Sequence, residues 1–65
     1  MGKQFKIGDV VDRFWDGTMI RVSSISYERY ASGDLCRILN GKRIACGIES
    51  GQTLGFVADD CRVVD

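Results

Sequence analysis

Leu35-Cys36-Arg37-Ile38-Leu39-Asn40-Gly41-Lys42-Arg43-Ile44-Ala45-Cys46-Gly47-Ile48 is the stretch on which the reading of the fold rests. Two apolar-alternating runs flank Asn40-Gly41, a dipeptide that favours tight hairpin reversal. A two-residue loop would put Ile38 opposite Arg43. A three-residue loop, Asn40 to Lys42, puts Ile38 opposite Ile44 and Cys36 opposite Cys46. Only the second gathers Cys36, Ile38, Ile44, Cys46 and Ile48 on one face, because a one-residue slip turns every side chain over. The stretch therefore predicts a hairpin turning at Asn40–Lys42, with Gly41 or Lys42 at positive φ and a bulge beside it.

Outward from this hairpin the chain reads as short strands and turns. Val10 to Phe14 is a first strand, with Phe5 and Ile7 folded over the edge of the core. Trp15-Asp16-Gly17 is a turn, since Asp-Gly combines a local side-chain bond with glycine's freedom. Thr18 to Tyr30 is the longest strand candidate. Ile20 and Val22 share one parity, Ile25 and Tyr27 the other, so a bulge at Ser23-Ser24 would bring both pairs to one face. Ala31 to Asp34 and Glu49 to Gln52 read as turns. Thr53 to Val57 is a strand, Ala58 to Cys61 a 3-10 turn and Arg62 to Val64 a closing strand. Met1 to Gln4 is a polar lead-in.

Sixty-five residues make one domain, residues 1–65, with eight glycines and no proline. The expected class is all-β: a small five- to six-stranded antiparallel SH3-like barrel with a short 3-10 turn near the C-terminus. The expected core is Val11, Ile20, Val22, Ile25, Cys36, Ile38, Ile44, Cys46, Phe56, Val57 and Val63. A chain this short buries only about 60% of its unfolded surface, so nearly every apolar residue must contribute.

Formal net charge is zero. Nucleic-acid binders draw most of their affinity from a basic excess, so generic DNA or RNA binding is disfavoured. No stretch is apolar over a membrane-spanning length, and the N-terminus lacks a signal-like apolar run; a cytoplasmic protein with no membrane contact is expected. Three cysteines and no histidine, at spacings that match no zinc pattern, argue for reduced thiols and no metal or cofactor. Cys36 and Cys46, facing each other, read as small core residues, with a redox pair as the functional alternative. The acids beside Cys61 do not suit a nucleophile. Without histidine, a GxSxG elbow, a Walker loop or GxGxxG, catalysis is not expected and no catalytic residue is assigned. Asp59-Asp60 reads as a pair of solvated turn carboxylates.

Phe5-Lys6-Ile7-Gly8-Asp9-Val10-Val11 resembles the FxxGDxV opening of the small, uncharacterised YodC-like bacterial proteins. Gly17 to Ile25 is similar to their GPxMxVxxI stretch, Leu35 to Leu39 to their VxCxWF strand, and Phe56 to Val64 to their closing strand. The resemblance implies the same small barrel and a bacterial, phage or mobile-element origin; the family has no established activity to carry over. Plasmid-borne type II dihydrofolate reductases, SH3-like chains of similar size, would imply an oligomeric enzyme. Their Val-Gln-Ile-Tyr run has no counterpart in Thr53 to Val57.

What remains is a surface. Trp15 at its turn, and Tyr27, Arg29 and Tyr30 near the end of the long strand, are of the types that dominate protein interfaces. They form the candidate partner-binding patch of a non-catalytic interaction module whose protein partner the sequence does not identify. The structural alternative has Trp15 capping the barrel and both tyrosines lying over the core. The rival function is a nucleic-acid- or ribosome-associated KOW/Tudor-like barrel using Arg13, Arg21, Arg29, Arg37, Lys42 and Arg43. A homo-oligomer through an uncovered strand edge is a third expectation.

Overall fold

A computed structural model describes residues 4–64. Most of the expected polar lead-in, Met1 to Lys3, lies outside them. The described residues form five antiparallel strands: β1 (Val10–Arg13), β2 (Met19–Arg29), β3 (Leu35–Ala45), β4 (Ile48–Val57) and β5 (Cys61–Val63). A 3-10 turn, Ala58–Asp60, joins β4 to β5. The strands make one sheet in the order β4-β3-β2-β1-β5. Among the described residues no helix is long and apolar enough to cross a membrane.

The all-β class, the strand count and the 3-10 turn match the sequence reading. Closure into a barrel is not seen. β4 and β5 lie at opposite ends of the sheet with no ladder between them. Only the three-residue turn connects them, and it inserts Ala58 into the core instead of continuing a strand. The architecture is an open five-stranded antiparallel sheet.

β2 is long because its sequence satisfies one face twice. Ile20 and Val22 point into the core, and the register against β3 then shifts between Val22 and Ser24. The expected bulge is therefore present, and it turns Ile25 onto the core face, where it packs against the buried cluster. The N-terminal segment is tied down by two backbone bonds: the Gly8 N–H donates to Val22 O at 2.7 Å and the Val22 N–H to Asp9 O at 2.8 Å. This holds Phe5 in the core, whereas Ile7 stays exposed.

The central hairpin is not where Asn40-Gly41 predicts. β3 runs unbroken through both residues, and the reversal comes at Cys46-Gly47, between the paired residues Ala45 and Ile48. Cys46 (φ 53°) and Gly47 (φ 76°) are both left-handed, the pattern of a two-residue type I′ turn. Neither Gly41 nor Lys42 has positive φ. A register shift does fall between Lys42 and Ile44, facing β4. The expected turn at Glu49 to Gln52 is instead part of β4, whose Ser50 to Gln52 bow out opposite Arg43.

This displacement inverts the faces of β3. Leu39 pairs with Ile25 and Phe56 and is fully buried (0% exposed), while Cys36 and Ile38 lie on the opposite face. The core is Phe5, Val11, Ile20, Val22, Leu39, Phe56, Ala58 and Cys61. Ile38, Ile44 and Val57 are only half-buried, Val63 is exposed, and Cys46 is exposed at the turn, so the thiols do not face each other. Cys36 is buried, but outside the main cluster.

A β-carbon at positive φ costs on the order of 1 kcal/mol, and asparagine tolerates that region better than most residues. Cys46→Asn should therefore raise the melting temperature by about 2–6 °C, measured by circular dichroism.

Candidate functional site

The turn after β1 is built around Arg13. Its guanidinium forks onto Asp16, Nε to Oδ1 at 3.1 Å and Nη2 to Oδ2 at 2.6 Å. Asp16 Oδ1 also accepts the Thr18 N–H at 3.0 Å, which closes the turn. The Arg13 guanidinium carbon lies 4.1 Å from the centroid of the Trp15 ring and 4.2 Å from that of Phe56. Because Phe56 is buried, Arg13 anchors the exposed indole to the core through two cation–π contacts. Trp15 is held in place without being covered: it remains 60% exposed.

Arg13's hydrogen bonds, followed by the Thr18 N–H, hold the Asp16 carboxyl well below the usual carboxylate range. A carboxylate depressed on folding contributes stability above its unfolded pKa of about 4, and that contribution is lost as pH falls toward the folded value. The melting-temperature gap between the native chain and Asp16→Asn should be constant from pH 7 to 5. It should narrow steadily between pH 4 and 2, as a series of thermal melts would record.

The 3-10 turn borders this corner. The Phe14 N–H donates to Asp60 O at 2.9 Å, and the Phe14 ring is 63% exposed. On its other side, the charges of Asp59 and Asp60 reach the Tyr30 phenol. Tyr30 is 52% exposed and donates its hydroxyl to Cys36 Sγ at 2.9 Å. That bond is the main reason the phenol is pushed above its ordinary pKa, with the two aspartates adding to it. The Tyr30 N–H donates to Asp34 O, and the Gly33 N–H to Tyr30 O, each at 2.9 Å, so the β2–β3 turn fixes the ring.

The expected patch of Trp15, Tyr27, Arg29 and Tyr30 therefore divides. Trp15 stacks on Arg13, one residue on from Phe14, whose N–H bonds the 3-10 turn, and Tyr30 feels the charges of that turn's two aspartates. Tyr27 pairs with Arg37 and Arg29 with Leu35, on the face that carries Ile25 and Leu39. Tyr27 is 63% exposed there because the far end of the hairpin runs past the core. Arg29 bonds Gly33 O through Nη1 at 2.7 Å and braces the turn. Tyr30 reaches Cys36 on the opposite face. Both tyrosines are more than half exposed.

Three further residues belong to the surface. In the sequence Phe14 reads as a strand end, Arg13 as part of a basic patch and Asp60 as a solvated turn carboxylate. The Arg13-x-x-Asp16 spacing around Trp15 was a legible sign of the first contact; nothing local signals that Phe56 completes the stack. Among the described residues no cavity and no cluster able to hold a metal is found. No protein-family model matches the chain, and neither a curated protein nor a solved structure does.

Proposed function

We propose that this chain is a non-catalytic interaction module whose docking surface is the corner formed by Phe14, Trp15 and Tyr30 around Asp59 and Asp60. The observation that carries the reading is the Arg13 stack. It orders Trp15 while leaving most of the indole in water, so the ring can bind with little ordering cost. Aromatic rings beside carboxylates suit a peptide segment bearing apolar and cationic side chains. The likeness to YodC-like bacterial proteins belongs to the same proposal and concerns origin, not partner.

The nucleic-acid reading draws less support. Arg13 is forked onto Asp16, Arg62 onto Asp12 (Nε–Oδ1 3.0 Å), and Arg21 pairs with Glu49 at 3.7 Å. Charges neutralised in this way add little phosphate affinity.

Trp15 is the single tryptophan, so its emission reports directly on the surface. Titration with a random peptide library fractionated by charge should shift that emission for the cationic fraction. Tyr30→Ala should weaken the response about tenfold, as loss of an interface aromatic commonly does. A random-sequence oligonucleotide that binds instead, with affinity falling steeply as salt rises, would favour the rival reading. No response to any peptide fraction sinks the proposal.

A further inference from the structure

The sheet has two free ends, and they differ. β5 is three residues long and offers little to pair with. β4 has ten residues and, among the described residues, only β3 as a strand neighbour. Its first half is blunted. Ser50 to Gln52 bow out of register, Lys42 Nζ donates to Gly51 O at 3.3 Å, and the Gln52 N–H donates to Ser50 Oγ at 3.2 Å. Its second half, Thr53-Leu54-Gly55-Phe56-Val57, is in regular register with β3 and carries no charge and no proline. Proteins that keep such an edge single usually place a lysine, a proline or a bulge on it.

We infer that Thr53–Val57 pairs with the same strand of a second copy, in antiparallel register about a two-fold axis through Gly55. The argument for a second copy is self-complementarity. An axis normal to the sheet keeps the core faces of both copies on one side. It sets Thr53 against Val57, Leu54 against Phe56 and Gly55 against Gly55 of the other copy. Leu54 and Phe56 belong to the core side, Leu54 only half-buried at its margin. Phe56 is already buried in its own core, so the pairing gives each half-buried Leu54 a neighbouring strand and continues one sheet through both copies. No like charges meet, because the one charged residue of β4, Glu49, lies beyond the paired segment.

Sedimentation equilibrium of the full chain from about 1 µM to about 1 mM tests this without any ligand, so its outcome is separate from that of the docking surface. A monomer–dimer equilibrium is expected. Gly55→Lys and Gly55→Glu each set like charges directly opposite at the axis and should weaken the dimer at least about fivefold. Mixed in equal amounts, the two variants should recover dimer. A side chain at Gly55 meets Asn40 Oδ1 at 3.0 Å, so circular dichroism must show that both variants fold. Should they not, Thr53→Glu, at an exposed position facing Lys42, decides the matter by weakening the dimer alone. A native chain monomeric at 1 mM overturns the inference. So does a dimer that folded edge variants leave intact, or one abolished by Tyr27→Ser with Leu35→Ser.

Discussion

Gly41→Ala should unfold the protein or lower its melting temperature by about 15 °C, the largest effect of any single methyl group in this chain. Gly41 is buried in the middle of β3, paired with Val22 on one side and Leu54 on the other. A β-carbon there would fall on the Arg21 carbonyl oxygen, 2.6 Å from its carbon and 3.1 Å from the Val22 Cα. Those obstacles are backbone. They cannot rotate away as a crowded side chain would, so the cost lies at or above the top of the usual overpacking range, about 3 kcal/mol. A domain of this size has only about 3–10 kcal/mol in total. Gly51→Ala is the matched control, since its β-carbon meets nothing within 4 Å. It should melt within about 4 °C of the native chain. Equal melting of the two variants would show that β2 and β3 do not approach as described.

Gly41 also explains why Asn40-Gly41 does not turn the chain. Asn-Gly marks a hairpin when both residues take positive φ, but glycine is used equally where two backbones come close. The sequence carries the residue without saying which use applies. The actual reversal hides its signal, because Cys46 occupies a left-handed position that asparagine or glycine normally fills. Elsewhere local chemistry decided the matter. Asp16 bonds the turn that Asp-Gly suggested, and the parity break at Ser23 is a bulge because no other device returns Ile25 to the core. Ala58 to Asp60 form a 3-10 turn as read.

The candidate surface was legible in its residue types and not in its grouping. Tyr27 and Tyr30 are close in sequence but belong to different faces, and the bond that settles Tyr30, to Cys36, crosses a turn. Trp15 is exposed at its turn. Its support from Phe56 joins the turn after β1 to the far end of β4, a contact between distant positions that no local pattern encodes. Closure failed for a similar reason. Whether β4 and β5 pair depends on the path of three residues, and Ala58 takes that path into the core.

The face inversion of β3 leads to the second large effect. Leu39→Asp should leave the chain unfolded at neutral pH, whereas Ile38→Asp should keep it folded at a cost of about 1–2 kcal/mol. Leu39 pairs with Ile25 and Phe56 and belongs to one buried cluster with Phe5, Val11, Ile20 and Val22, all apolar and none a partner for a carboxylate. Its charge would have to be desolvated or neutralised, and either exceeds what a marginal domain can lose. Ile38 is half-buried on the other face, beside Ser26 and Val57, where a carboxylate keeps part of its water. The thiols supply the readout. In the folded chain Cys46 is exposed while Cys36 and Cys61 are buried. A thiol reagent should therefore label Ile38→Asp quickly at one position and Leu39→Asp quickly at all three. The hairpin implied by Asn40-Gly41 predicts the reverse, with Ile38, Cys36 and Cys46 inside and Leu39 in water. Rapid triple labelling of Ile38→Asp, with Leu39→Asp still folded, would restore that hairpin and remove Leu39 from the core.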